Sequence, residues 1–137
     1  MSPEEVAERR ARALQDLDGA TEELIRGWLP TLLTEWASQD VVDELSAIMS
    51  DFHPAGARTM LESMVEADLR EVLPAIDVPT LLLCGEEDHR SPLSVARETQ
   101  AQIPDSSLVV LPGAGHQSNM EAPDLFNDAV RSFLRAD

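Results

Sequence analysis

The sequence predicts an α/β fold. A helical section over residues 1–75 leads into a β-α-β-α unit over 76–137 with two parallel strands. Two observations carry this. Two short apolar runs, VPTLLLC at 78–84 and LVVL at 108–111, each end in a Gly-containing loop that bears a titratable residue. Such runs, bounded by turn signals, fit strands buried on both faces, and those belong to parallel sheets covered by helices. Between the runs lies a helical-looking stretch, 92–103, of the right length for a crossover connection.

Taken in order, Ser2-Pro3-Glu4-Glu5 is a helix start: Ser2 caps, Pro3 suits the first turn and Glu5 completes a capping box. That helix is expected to run to about Asp18, with Val6, Ala13, Leu14 and Leu17 inward. Thr21 opens a second helix in which Leu24, Ile25, Trp28, Leu29, Leu32, Leu33 and Trp36 recur at helical spacing. Pro30 falls inside this pattern and is expected to kink or split the helix near Leu29. Asp40 is expected to cap a third helix to about Ser50, and His53-Pro54 marks the next break. A fourth helix follows over 54–67, with Met60, Leu61, Met64 and Val65 on its apolar face, and 68–73 reads as a short extra turn. The first strand is expected over 78–84 and the second over 107–111. The crossover helix turns Val95, Ala96, Thr99 and Ile103 inward. A closing helix over 122–136 has Pro123 in its first turn, with Leu125, Phe126, Ala129, Val130, Phe133 and Leu134 inward.

The 137 residues suit one domain, or a small domain with an appendage. There are 26 acidic residues against 10 basic, a net charge of −16, and every basic residue is Arg. This balance argues against nucleic acids and anionic membranes as partners. The single cysteine, Cys84, precludes an intrachain disulfide and suits a reducing compartment. No stretch reaches the roughly 20 apolar residues of a membrane span, and MSPEEVAERR has no apolar signal core. A cytoplasmic location is therefore expected. Residues 1–75 hold no Gly-rich phosphate cradle, and no cofactor is expected.

Asp88 follows the first strand and His116 ends the loop after the second. Neighbouring strands lie about 4.8 Å apart, so loops at the same sheet edge can bring their side chains together. Open α/β sheets place their sites at that edge. An Asp–His pair there is either a catalytic base with the carboxylate that orients it, or a hydrogen bond that ties two loops together. Ser118, Cys84, Ser91 and Ser94 are weak nucleophile candidates. Ser118 lacks a sharp strand–turn–helix setting, Cys84 ends a buried strand, and the two other serines read as helix caps. Asp88, His89 and His116 lack the spacing of zinc signatures and His53 is remote, so no metal site is expected. Glu86 and Glu87 read as solvated loop acids. Trp28 and Trp36 either line a substrate pocket or belong to the core, and their helical period favours the core.

GEEDHRSP and LPGAGHQSNMEAPDLFNDAVRSFL together closely resemble the C-terminal part of α/β-hydrolase-fold enzymes. The likeness is to the esterase and lactonase branch, including 3-oxoadipate enol-lactonase-like hydrolases. It is specific over 69–135 and looser over 1–68. It implies that Gly85-Glu86-Glu87-Asp88 carries the acid of a Ser–His–Asp triad and that Gly113-Ala114-Gly115-His116 carries its histidine. The order, acid before His, agrees. The helical section then resembles the cap, and the β-α-β-α unit a partial hydrolase core. The family's nucleophile motif, G-x-S-x-G, does not occur in the sequence, and no βαβ units precede the cap-like part. A two-stranded sheet is marginal alone and its edges invite pairing. The expected partner is therefore a second copy, joined through a sheet edge or exchanged elements, or else a missing N-terminal hydrolase half. Three functions stay open: part of an ester or lactone hydrolase, a dimeric binding or vestigial protein of the same fold, or an enzyme with an unconventional nucleophile.

Overall fold

A computed structural model describes residues 22–51 and 53–135, together with Glu8 and Ala11, both helical. The rest of the expected first helix, with Val6, Ala13, Leu14 and Leu17, lies outside the described residues, as do Thr21 and Phe52.

From residue 22 onward, three helices follow one another: α1 Glu22–Leu32, α2 Gln39–Ser50 and α3 Pro54–Glu66. Pro30 does not split α1, which continues to Leu32. The ring removes one N–H near the helix end, and Leu33 N–H still donates to the Leu29 carbonyl at 2.9 Å, so the ladder resumes at once. Trp36 consequently falls beyond α1, in a turn, and is not part of a continuous stripe. The cap of α2 is Ser38, whose hydroxyl accepts from Val41 N–H at 3.4 Å; Asp40 is instead an acid in the first turn. Both residues suit a helix N-terminus, and the one with extended backbone takes the cap. Pro54 opens α3 at a position where its missing N–H removes no helical bond.

Leu32, Leu33, Leu45 and Met49 of this section form a buried cluster, and Trp28 packs against it half-buried. Each such side chain contributes roughly 1.5–3 kcal/mol through burial. Met120, from the far end of the chain, packs on the same cluster. It joins the helical section to the loops that follow the sheet.

After a 3-10 turn, Leu73–Ala75, the chain enters β1 Thr80–Gly85, crosses through α4 Leu93–Gln100 and returns as β2 Ser106–Leu111. The strands are parallel and in register from Thr80 opposite Ser106 to Gly85 opposite Leu111. A short helix α5, Ser118–Glu121, precedes the closing helix α6, Pro123–Arg135. Both α4 and α6 pack on the two strands. Several apolar residues expected to face inward are instead about half exposed or more: Met60, Met64, Val95, Leu125 and Leu134. Their helices have apolar faces wider than the described elements cover.

At the carboxyl ends of the strands the two loops approach very closely. A Cβ at Gly85 would lie 2.2 Å from the Gly115 carbonyl oxygen and 2.3 Å from that of Ala114. The strand ladder extends into the loops, with Glu86 N–H donating to Leu111 O and Glu87 N–H to Ala114 O, each at 2.9 Å. Because the obstacle is backbone, no rotamer relieves it. Gly85→Ala is expected to lower stability by about 3 kcal/mol in urea unfolding. A loss below about 0.5 kcal/mol, the range of an ordinary surface substitution, would contradict this approach.

Candidate active site

The site forms where β1 and β2 end side by side. Asp88 lies three residues beyond Gly85, at the close of a tight turn in which its N–H donates to Gly85 O at 3.2 Å. Its carboxylate is buried, with the side chain 7% exposed. Oδ1 accepts from the backbone N–H groups of Arg90 and Ser91 at 2.9 and 2.8 Å. Oδ2 lies 2.9 Å from Nδ1 of His116. A carboxylate accepts, so this contact places the ring hydrogen on Nδ1 and leaves Nε2 as the basic nitrogen. The two amides on Oδ1 orient the carboxylate, and through it the imidazole.

Asp88 and His116 are thus brought together, as their placement in the sequence predicts. His89 is not part of that contact: its side chain is 86% exposed, with Nε2 4.0 Å from Glu87 Oε2. Ser91 and Ser94 do not cap α4. The cap position is Pro92, which makes no side-chain bond, and the Ser91 amide is turned to Asp88 instead. Glu86 is more than a solvated acid, because its Oε2 accepts from Gly113 N–H at 3.1 Å. Gly113 has φ of 65°, in the left-handed region that glycine enters freely.

A cleft of about 240 Å³ opens beside His116, lined among others by Thr34, Trp36, Glu87, His89 and Gly115. Its wall is the segment that leaves α1. The two tryptophans part company here. Trp36 lines the cleft, is 58% exposed and donates its indole N–H to Gly113 O at 3.0 Å. It is therefore not core. Trp28 packs half-buried against the core cluster, and the Arg90 guanidinium lies 5.9 Å from its ring centroid.

Residues that the sequence did not single out hold the helical section to these loops. Glu121 Oε1 accepts from both Thr34 N–H and Thr34 Oγ1–H, at 2.7 and 2.5 Å, and its Oε2 accepts from Gly115 N–H at 2.8 Å. Gln117 N–H donates to Leu32 O at 3.1 Å, and Arg90 donates to Thr31 Oγ1 at 3.3 Å. Glu121 reads in sequence as an ordinary acid just before a Pro-started helix. Its Thr34 partner is 87 residues away, and no local pattern links them.

Of the other nucleophile candidates, Ser118 is buried at the start of α5. Cys84 is buried too, and burial, then the nearby Asp88 charge, pushes its thiol above its ordinary pKa. The thiol form therefore persists to higher pH in the folded chain, and thiolate appears only above the unfolded value. Alkylation of Cys84 by iodoacetamide at pH 8 is expected to be about tenfold slower in the native chain than in urea. Equal rates would show an open, unperturbed thiol. Asp88→Ala leaves the Arg90 and Ser91 amides unpaired and is expected to lower stability by about 2 kcal/mol in urea unfolding. An unchanged midpoint would count against the amide bonds described.

Comparison with known proteins shows the family. The family model described as "Alpha/beta hydrolase family" matches residues 1–129. A 3-oxoadipate enol-lactonase of Acinetobacter baylyi is 32% identical over 98 residues, 72% of this chain and 36% of that protein. A pimeloyl-[acyl-carrier protein] methyl ester esterase of Pectobacterium atrosepticum is 38% identical over 114 residues, 79% of this chain and 43% of that protein. Among solved structures, a thermophilic esterase from Thermogutta terrifontis superposes with a TM-score of 0.86 at 30% identity, covering 98% of this chain and 51% of that one. The chain spans about half the length of that esterase, and less of the two curated relatives. Its two parallel strands and their helices are part of the core of that fold, and the chain belongs to the alpha/beta hydrolase family.

Proposed function

We propose that this chain carries the acid and the histidine of a Ser–His–Asp triad for hydrolysis of a carboxylic ester or lactone, and that it is inactive alone. The single observation behind this reading is the Asp88–His116 contact at 2.9 Å, with Asp88 buried and its other oxygen held by two amides. Asp88 orients the ring and stabilises the imidazolium, and His116 Nε2 exchanges the proton. In the first half-reaction Nε2 takes the proton of a serine hydroxyl as its oxygen bonds to the substrate carbonyl carbon. It then gives that proton to the departing alkoxide, leaving an acyl-enzyme. Water repeats the sequence and releases the acid. In a lactone the alkoxide stays tethered to the acyl group.

The serine is assigned to polypeptide outside these 137 residues. In support, G-x-S-x-G is absent from the sequence, Ser118 is buried and the Cys84 thiol is held protonated. The ester or lactone class rests on the two curated relatives, an enol-lactonase and a methyl ester esterase. Trp36, exposed in the cleft beside His116, is proposed to contact the acyl or ring group. Trp28 lies beneath Arg90 and is proposed to act only by supporting that wall.

A second reading, a dimeric binding protein without catalysis, draws on the sheet. β1 and β2 pair only with each other among the described residues, so each keeps an open edge, and a second copy could close it. Light scattering at micromolar concentration distinguishes the two: a dimer is expected under this reading, and a monomer removes it.

The first reading is tested by fluorophosphonate labelling of the folded chain. No labelling is expected, and labelling that disappears in His116→Ala would place the nucleophile within the chain. The complementary test fuses the N-terminal half of a related esterase upstream. Ester hydrolysis is then expected, and His116→Ala is expected to lower kcat by roughly a thousandfold or more. Turnover that survives in His116→Ala would overturn the assignment.

A further inference from the structure

We propose that Glu121 is a positioning residue for His116. Its consequence for catalysis rests on the triad reading, but the geometry stands without it. His116 is flanked by two anchored peptides. On one side Gly115 N–H donates to Glu121 Oε2 at 2.8 Å, and on the other Gln117 N–H donates to Leu32 O at 3.1 Å. The first of these anchors is a side chain, and it is fixed in turn. Both donors of Thr34 converge on Oε1 of the same carboxylate, at 2.7 Å from nitrogen and 2.5 Å from the hydroxyl.

Thr34 needs such a partner. It follows the end of α1, where the backbone has left the helix, so no helical carbonyl takes its N–H. The loop is shaped to the carboxylate as well. A Cβ at Gly115 would lie 2.8 Å from Glu121 Oε2 and 3.3 Å from Thr34 Cγ2. Thr34, Gly115 and His116 all line the same cleft, so this bridge also holds the distance between the cleft wall and the imidazole.

Three donors aimed at one group require an acceptor at both ends. Only a carboxylate of this length supplies that. Glutamine has the same shape but presents an NH2 group at one end, opposing either Gly115 N–H or the Thr34 pair. Aspartate is shorter by one methylene, about 1.5 Å, and cannot span Thr34 and Gly115. A tie that served stability alone would tolerate movement of the ring. A positioning tie would not, because the Asp88 contact depends on where residue 116 stands.

The experiment is imidazole ¹⁵N NMR on the full chain, whose three histidines are assigned by substitution. The ring shifts report which nitrogen carries the hydrogen. The parent chain is expected to hold His116 as the Nδ1–H form. In Glu121→Gln, with circular dichroism unchanged, the ratio of Nδ1–H to Nε2–H forms at His116 is expected to fall by about ten- to a hundredfold. His53 and His89 should not change. Glu121→Asp should not rescue. A folded Glu121→Gln chain with an unchanged His116 ratio, even if less stable, would overturn the proposal and leave Glu121 a plain structural tie. If Glu121→Gln does not fold, Thr34→Val carries the test, since it removes the hydroxyl donor and keeps the amide. A smaller change in the same direction is expected, and none would overturn it. None of these readouts needs turnover. A fusion enzyme insensitive to His116→Ala would therefore defeat the triad reading while leaving this one to be judged on its own signal.

Discussion

Everything at the site depends on the contact between bare backbone at Gly85 and the carbonyls of Ala114 and Gly115. Parallel strands deliver their ends to the same sheet edge, but they do not by themselves make the following loops touch. Here the missing side chain lets the loops close. Two further amide bonds, from Glu86 to Leu111 and from Glu87 to Ala114, then carry the ladder past the strands. The acid loop and the histidine loop behave as one piece of backbone. Asp88 and His116 meet at 2.9 Å because the peptides beneath them are stitched together, whatever freedom the side chains have.

The helical section is held to that piece mainly by polar bonds aimed at the loops. Thr34 reaches Glu121, Trp36 reaches Gly113, Gln117 reaches Leu32 and Arg90 reaches Thr31. Among the described residues, only Met120 adds an apolar contribution to the helical cluster from the loop side. Bonds of this kind are directional, so they set the cleft wall at a defined distance from the imidazole. They also account for part of the acidic excess. Glu86, Asp88 and Glu121 each use carboxylate oxygens to accept backbone N–H groups, a task that only an acceptor can perform.

The superposed esterase is about twice as long as this chain, and the exposure of the apolar helices fits packing against further polypeptide. Leu125 and Leu134 on α6, and Val95 on α4, are apolar side chains with little to cover them among the described residues. The geometry around His116 is nevertheless complete on one side. Orientation of the imidazole is local to the two loops and their ties, which hold Nδ1 on Asp88 and leave Nε2 as the outward nitrogen.

Much of this was legible in sequence because it is written in local signals. Apolar runs ending at Gly marked both strands, Pro123 marked the start of the last helix, and the order of Asp88 and His116 marked the sheet edge. Local signals failed where two neighbouring residues compete for one role. Ser38 rather than Asp40 took the cap of α2, and Pro92 rather than either serine took that of α4. They also misled where a helical period ran on past the end of the helix, which favoured the core over the pocket for Trp36, although it lies in the cleft. The ties that define the site were invisible, because hydrogen bonds between residues 34 and 121, or 36 and 113, have no period or spacing to reveal them. By itself, then, the sequence determined the fold class and which acid and which histidine lie at the same sheet edge, since strand polarity and short loops dictate that. Only the tertiary structure decided how the imidazole is aimed, since that rests on contacts between segments that meet only after the chain has folded.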